Sequence, residues 1–138
     1  MHPLMKGFGM KKRFIFSSLW CLLVASLLSA PAWANGEATY TSVCAVCHAQ
    51  GLAGAPKTGD AKAWGKLIKE GQITLTADGY AGVRAMPARG GKPELSVPEF
   101  ADAVVHMANA AGANWKSPDA AMLKKIEQRI DKRAATKK

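Results

Sequence analysis

The 138-residue sequence predicts a small all-α domain, and three observations carry that prediction. Apolar residues recur at helical spacing in four segments. No segment alternates apolar and polar residues in a way that would make a paired strand. Two cysteines, Cys44 and Cys47, stand three positions apart and are followed at once by His48. A disulfide between them would close a very small loop and add little stability, so this cluster is expected to hold something else.

The chain opens with Lys6, Lys11, Lys12 and Arg13, continues as an apolar run from Phe14 to about Leu28, and reaches Ala32-Trp33-Ala34. That is the layout of a secretory signal peptide cut after Ala34. An uncleaved membrane anchor is the competing reading. The run is short for a spanning helix, and Pro31 interrupts it. The expected organisation is a cleaved signal over 1–34, one domain over 35–115 and a basic, helical or flexible tail over 116–138.

The first helix is expected over about 36–47, with Tyr40, Val43, Cys44 and Cys47 at helical spacing. The second lies over 60–71. There Asp60 is a suitable N-cap, Trp64, Leu67 and Ile68 form a stripe, and Gly71 is a stop. The stretch from Gln72 to Glu94 allows a short helix at its start and reads as loop beyond it. Ile73-Thr74-Leu75-Thr76 has strand propensity but no partner strand. The third clear helix starts at the capping box Ser96-x-x-Glu99. It carries Phe100, Val104, Met107 and Ala111 on one face and ends at Gly112 and Asn114. A last helix begins at Ser117-Pro118-Asp119, with Met122, Ile126 and Ile130 four residues apart.

The charge is unevenly placed. The whole chain carries a formal +9. Residues 35–115 balance seven basic against seven acidic residues, and residues 116–138 hold eight basic and three acidic. After export, nucleic acid is an unsuitable partner, and no interleaving of aromatic and basic residues supports it.

C-x-x-C-H is the attachment signature of a c-type haem. Two thiols at this spacing can each bond one of two neighbouring vinyl groups, and His48 then comes under the ring to ligate the iron. The covalent group also staples a domain too small for a large core. A structural zinc site would need four ligands, and the expected mature chain adds only His106 or a carboxylate. A thioredoxin-like pair would need a βαβ surround, which the pattern lacks.

A second axial ligand has to come from elsewhere. Met107 sits on an apolar helix face and Met122 in the tail. Met86 lies in Arg84-Ala85-Met86-Pro87-Ala88-Arg89-Gly90-Gly91, where Pro87 biases it towards extended backbone and the two glycines let the chain turn back. Met86 is therefore the expected sixth ligand, against a plain packing role.

With Gly36, Tyr40, Cys44-Ala45-Val46-Cys47-His48, Gly54 to Asp60, Trp64, Ala85 to Gly91 and Leu95 to Phe100 in view, the sequence resembles a class I c-type cytochrome of the short bacterial cytochrome c-five type. The resemblance spans about 36–111. It implies the small class I cytochrome c fold, with three to five helices wrapped around one covalently bound haem c. It implies cofactor contacts from Cys44, Cys47, His48, Met86, Pro56 and Trp64, with His48 and Met86 on the iron. Pro56 would offer its carbonyl to the free imidazole N–H, which suits a metal-bound histidine. Trp64 would pack near the haem. Gly36 and Tyr40 would let the first and last helices of the family fold cross closely. The chain departs from the family at His106, where an aromatic is usual, and His106 is expected to pack rather than ligate. Some members carry an extra cysteine pair near the methionine loop. This chain does not, and no disulfide is expected.

The implied function is a non-enzymatic, monohaem electron carrier of the bacterial periplasm, with redox proteins as partners. The basic tail leaves open an electrostatic contact with an acidic protein or an anionic membrane surface. The alternatives are an electron-accepting haem subunit of a larger dehydrogenase or oxidase, and a haem sensor or peroxidase.

Overall fold

A glycine that lets two helices touch organises the fold. The structure, a computed structural model, describes residues 33–136, with side chains from Gly36 onward. These residues belong to one compact unit. The expected signal peptide lies outside the described residues, apart from the backbone of Trp33 and Ala34. The described residues form five helices and no strand, the all-α architecture expected from the sequence.

The first helix, α1, is continuous but not uniform. It runs as α-helix over Trp33–Thr39, as π-helix over Tyr40–Cys44 and again as α-helix over Ala45–His48. It thus begins earlier and ends one residue later than the apolar spacing indicated, and Gly51, at φ 77°, turns the chain away beyond it. The π segment adds a residue to one turn and re-aims the side chains that follow, a device found often at functional sites. Asp60 caps α2 (Ala61–Lys69) through hydrogen bonds from the Lys62 and Ala63 N–H groups.

The stretch with strand propensity is helical: α3 covers Gln72–Tyr80. Thr76, Ala77, Gly79 and Tyr80 are buried there, and this tertiary packing overrides the preference of Ile73 and the threonines. The capping box at Ser96 and Glu99 is formed in full and starts α4 (Val97–Ala110). All four residues expected on its apolar face are buried, and Ala101, Ala103, Val105 and Ala108 widen that face.

The close approach is where α1 crosses α4. A Cβ on Gly36 would lie 2.5 Å from the Asp102 carbonyl oxygen, so only glycine allows this contact. The tail is a fifth helix, α5 (Ala120–Thr136), and it packs on α3 rather than fraying. Ile126 is fully buried, while Met122 and Ile130 are half-buried. Two apolar clusters form the core. One holds Cys44, Trp64, Ala103 and Met107, and the other holds Tyr80, Leu95, Phe100 and Val104. Val43, Leu75 and Trp115 pack against both.

Candidate functional site

His48 ends α1 and is buried. The loop that follows fixes it in three ways. The His48 Nδ1–H donates to the Pro56 carbonyl at 3.0 Å. The Thr58 N–H donates to the His48 carbonyl at 2.8 Å. The Trp64 Nε1–H donates to the Lys57 carbonyl at 3.0 Å, and its ring centroid lies 6.2 Å from the imidazole. With Nδ1 occupied as a donor, Nε2 carries the lone pair and is the ring atom left to bind a metal.

The two thiols face different surroundings. Cys44 lies in the first apolar cluster, and Cys47 is exposed. Burial pushes the free Cys44 thiol up to about 11. A thiolate metal ligand needs the opposite, a lowered pKa near a cation or metal. A neutral thioether needs no charge there at all. Among the described residues no group of three or more His, Cys, Asp and Glu gathers as a metal site. Val46, between the two cysteines, and Leu52, four residues after His48, are exposed apolar side chains.

Met86 belongs to the second cluster, where its half-buried side chain packs with Tyr80, Leu95, Phe100 and Val104. Its backbone is held in a tight turn. The Val83 N–H donates to the Met86 carbonyl at 3.1 Å, and the Met86 N–H donates to the Val83 carbonyl at 2.9 Å. The loop then returns under tension. Arg84 and Arg89 both take positive φ, 53° and 55°, at a cost of about 1–2 kcal/mol each. Arg89 also lies over the Tyr80 ring at 5.2 Å and donates to the Pro93 carbonyl. Such strain persists only where the surrounding structure over-determines it, and it gathers at sites.

The residues thus fall into two sets. Cys44, Cys47, His48, Pro56 and Trp64 come together around the end of α1, and Met86 stands in the adjoining cluster. His106 lies in neither. It packs on Tyr40 at 4.9 Å, beside the α1–α4 crossing. Sequence reasoning missed several members. Thr58 lies inside the stretch Gly54 to Asp60, but the resemblance assigns it no role, and its buried hydroxyl has no hydrogen-bond partner in the chain. The left-handed arginines carry no sequence signal, because glycine is the usual residue at such angles.

The donor set fits a covalently attached haem: two thiols at the right spacing, an oriented imidazole, a thioether on a structured loop, and a buried Thr58 hydroxyl still lacking a partner.

The comparisons with known proteins agree. A family model described as cytochrome c oxidase, cbb3-type, subunit III matches residues 31–107. Cytochrome c-555 of Chlorobaculum tepidum is 41% identical over 101 residues, covering 69% of this chain and 94% of that protein. Cytochrome c-555 of Prosthecochloris aestuarii is 40% identical over 84 residues, covering 55% and 85%. Cytochrome c5 of Azotobacter vinelandii is 35% identical over 75 residues, covering 53% and 90%. Among solved structures, a chain in the crystal structure of an electron transfer complex of nitrite reductase with cytochrome c aligns with a TM-score of 0.54 and 43% identity, covering 56% of this chain and 94% of that chain.

Proposed function

The chain belongs to the small class I c-type cytochromes and carries covalently bound haem c, and from that premise we propose that it is a periplasmic, monohaem electron carrier with His48 and Met86 as axial ligands. Its relatives are named cytochrome c-555 and cytochrome c5, and the structural relative comes from an electron transfer complex. When bound, the haem supplies a one-electron ferric–ferrous couple.

The chain's own residues do the rest. Cys44 and Cys47 hold the group from the core and from the surface. Pro56 fixes the imidazole tautomer through Nδ1 and makes Nε2 the better ligand. Thr58 and Trp64 keep the Pro56 loop closed over His48. Met86 would offer its thioether to the haem iron, a ligand that would raise the potential above that of a bis-histidine site. With His48 and Met86 both bound to the iron, no coordination position would be left for substrate, so the reading is of a carrier and not an enzyme. The observation that carries it is the His48–Pro56 hydrogen bond, which leaves Nε2 to bind a metal on the residue that directly follows Cys47.

Export through residues 1–34 would place the chain in the periplasm. A reductase of the kind complexed in the structural relative is a suitable class of partner. The family model's description names an oxidase subunit, and that favours a second reading, a haem subunit held in a larger complex. Native sizing of the protein extracted from its host separates the two, since the carrier runs as a small free protein and the subunit with its complex. Carbon monoxide tests the axial assignment. The native ferrous protein at neutral pH is expected not to bind it. Binding there would transfer the chain to the sensor or peroxidase class.

A further inference from the structure

The tail helix lies outside residues 31–107, the part matched by the family model, yet it is built into the wall behind Met86. Ile126 is fully buried, and Ile130 packs on the Tyr80–Leu95–Phe100–Val104 cluster, which also receives Met86. Asp78 Oδ1 accepts from Arg129 Nε at 3.3 Å and pairs with Arg133 Nη1 at 3.1 Å. At the other end of α3, the Gln72 side-chain amide donates to the Lys116 carbonyl at 2.8 Å. The tail segment therefore grips α3 at both ends.

Asp78 lies near the C-terminal end of α3, where the helix dipole disfavours a negative charge. That helix has no basic residue of its own in its last turn. The cations that compensate Asp78 come from α5. The next residue, Gly79, faces the methionine. A Cβ there would be 3.9 Å from the Met86 methyl carbon and 3.2 Å from Phe100 Cζ. The last turn of α3 is thus the surface on which the Met86 side chain rests, and the Val83–Met86 turn follows it directly.

We propose that α5 is a strap that positions Met86: Arg129 and Arg133, pinned on Asp78, hold the last turn of α3 against the methionine and so oppose its departure from the iron. The inference rests on the reading of Met86 as an axial ligand. Asp78, Arg129 and Arg133 are positioning residues that act through the last turn of α3, where Gly79 faces the Met86 methyl group. For Met86 to swing away, that turn and the turn after it have to open locally, and the strap raises the free energy of that opening.

The test uses the ferric, haem-loaded full chain and imidazole as an incoming ligand, which binds only after Met86 leaves. Loss of the near-infrared sulfur-to-iron band reads the step. Asp78→Asn, and separately the pair Arg129→Gln with Arg133→Gln, are expected to speed imidazole binding roughly twofold to fivefold, the scale of partly screened ion pairs. Combining all three substitutions should be no faster than either set, because both sets remove one interaction. Asp78→Glu should stay near the parent rate. Backbone amides of Ala77, Tyr80 and Ala81 should exchange faster in the same variants. Arg129→Gln alone, at a side chain 42% exposed, gives a mild variant that should move in the same direction. Rates equal to the parent's in these variants, or effects that multiply in the combination, would overturn the strap. If Met86→Ala keeps the band, the ligand reading itself falls and takes the strap with it, an outcome distinct from unchanged rates in a protein whose band depends on Met86.

Discussion

His48 is an example of one side chain fixed from several directions by a short loop. Pro56, Thr58 and Trp64 each add a hydrogen bond within or to that loop, and Asp60 then starts the next helix. The cluster Cys44-x-x-Cys47-His48 could be read from sequence because its chemistry is local spacing. Pro56 could be placed only through the family resemblance, and Thr58 not at all, because its role depends on a fold-back of the chain. Glu99 gives a residue-level test. Hydrogen bonds from the Ser96 side chain and then the Ser96 backbone N–H, with Lys92 adding attraction, hold its carboxyl below the ordinary 4.5. A lowered folded-state pKa contributes stability above the unfolded value and loses it as pH falls through the folded one. Denaturation of the parent and of Glu99→Gln should therefore differ at pH 6 and converge as the pH falls well below 4.5. Gly36 gives another. Gly36→Ala would gain helix propensity, but its Cβ would meet backbone atoms of Asp102 at 2.5 and 2.9 Å. Forcing α1 away from α4 should cost about 1–3 kcal/mol in denaturant unfolding; a stabilised variant would show that the crossing is looser than described.

At the level of elements, α4 and α2 announce themselves through caps and apolar stripes, and both form where the sequence indicates. Helix α3 is harder to read, since Ile73-Thr74-Leu75-Thr76 favours strand locally and becomes helical only because α4 and α5 cover it. The role of α5 was equally hidden. Three apolar residues make a thin stripe, and nothing in the sequence ties Asp78 to residues 51 and 55 positions later. The ion pairs also change the reading of the basic tail. Of Lys124, Lys125, Arg129, Lys132 and Arg133, the two arginines are engaged by Asp78, and the three lysines are exposed. Any electrostatic contact with an acidic surface thus falls to the lysines, and substituting them should slow partner reduction at low salt while leaving melting temperature unchanged. Ile126→Ala should do the reverse. Removing a fully buried side chain should cost about 2–4 kcal/mol, and unchanged stability would mean that α5 is not packed.

For the molecule as a whole, two apolar clusters meet along Val43, Leu75 and Trp115, with Cys44 and Trp64 in the first and Met86 packed on the second. The core is small, which suits a domain whose covalent cofactor supplies part of the buried mass. Cys47 and Val46, at the end of α1, are exposed, so this end of the proposed site lies at the surface. The central claim is that His48 and Met86 fill both axial positions of the iron, which makes the protein a carrier. The most direct measurement is the near-infrared absorption of the ferric full chain beside its Met86→Ala and His106→Ala variants. The account expects the weak sulfur-to-iron band in the parent, its loss in Met86→Ala and its retention in His106→Ala. A band that survives Met86→Ala, or one that is absent from the parent, would contradict it.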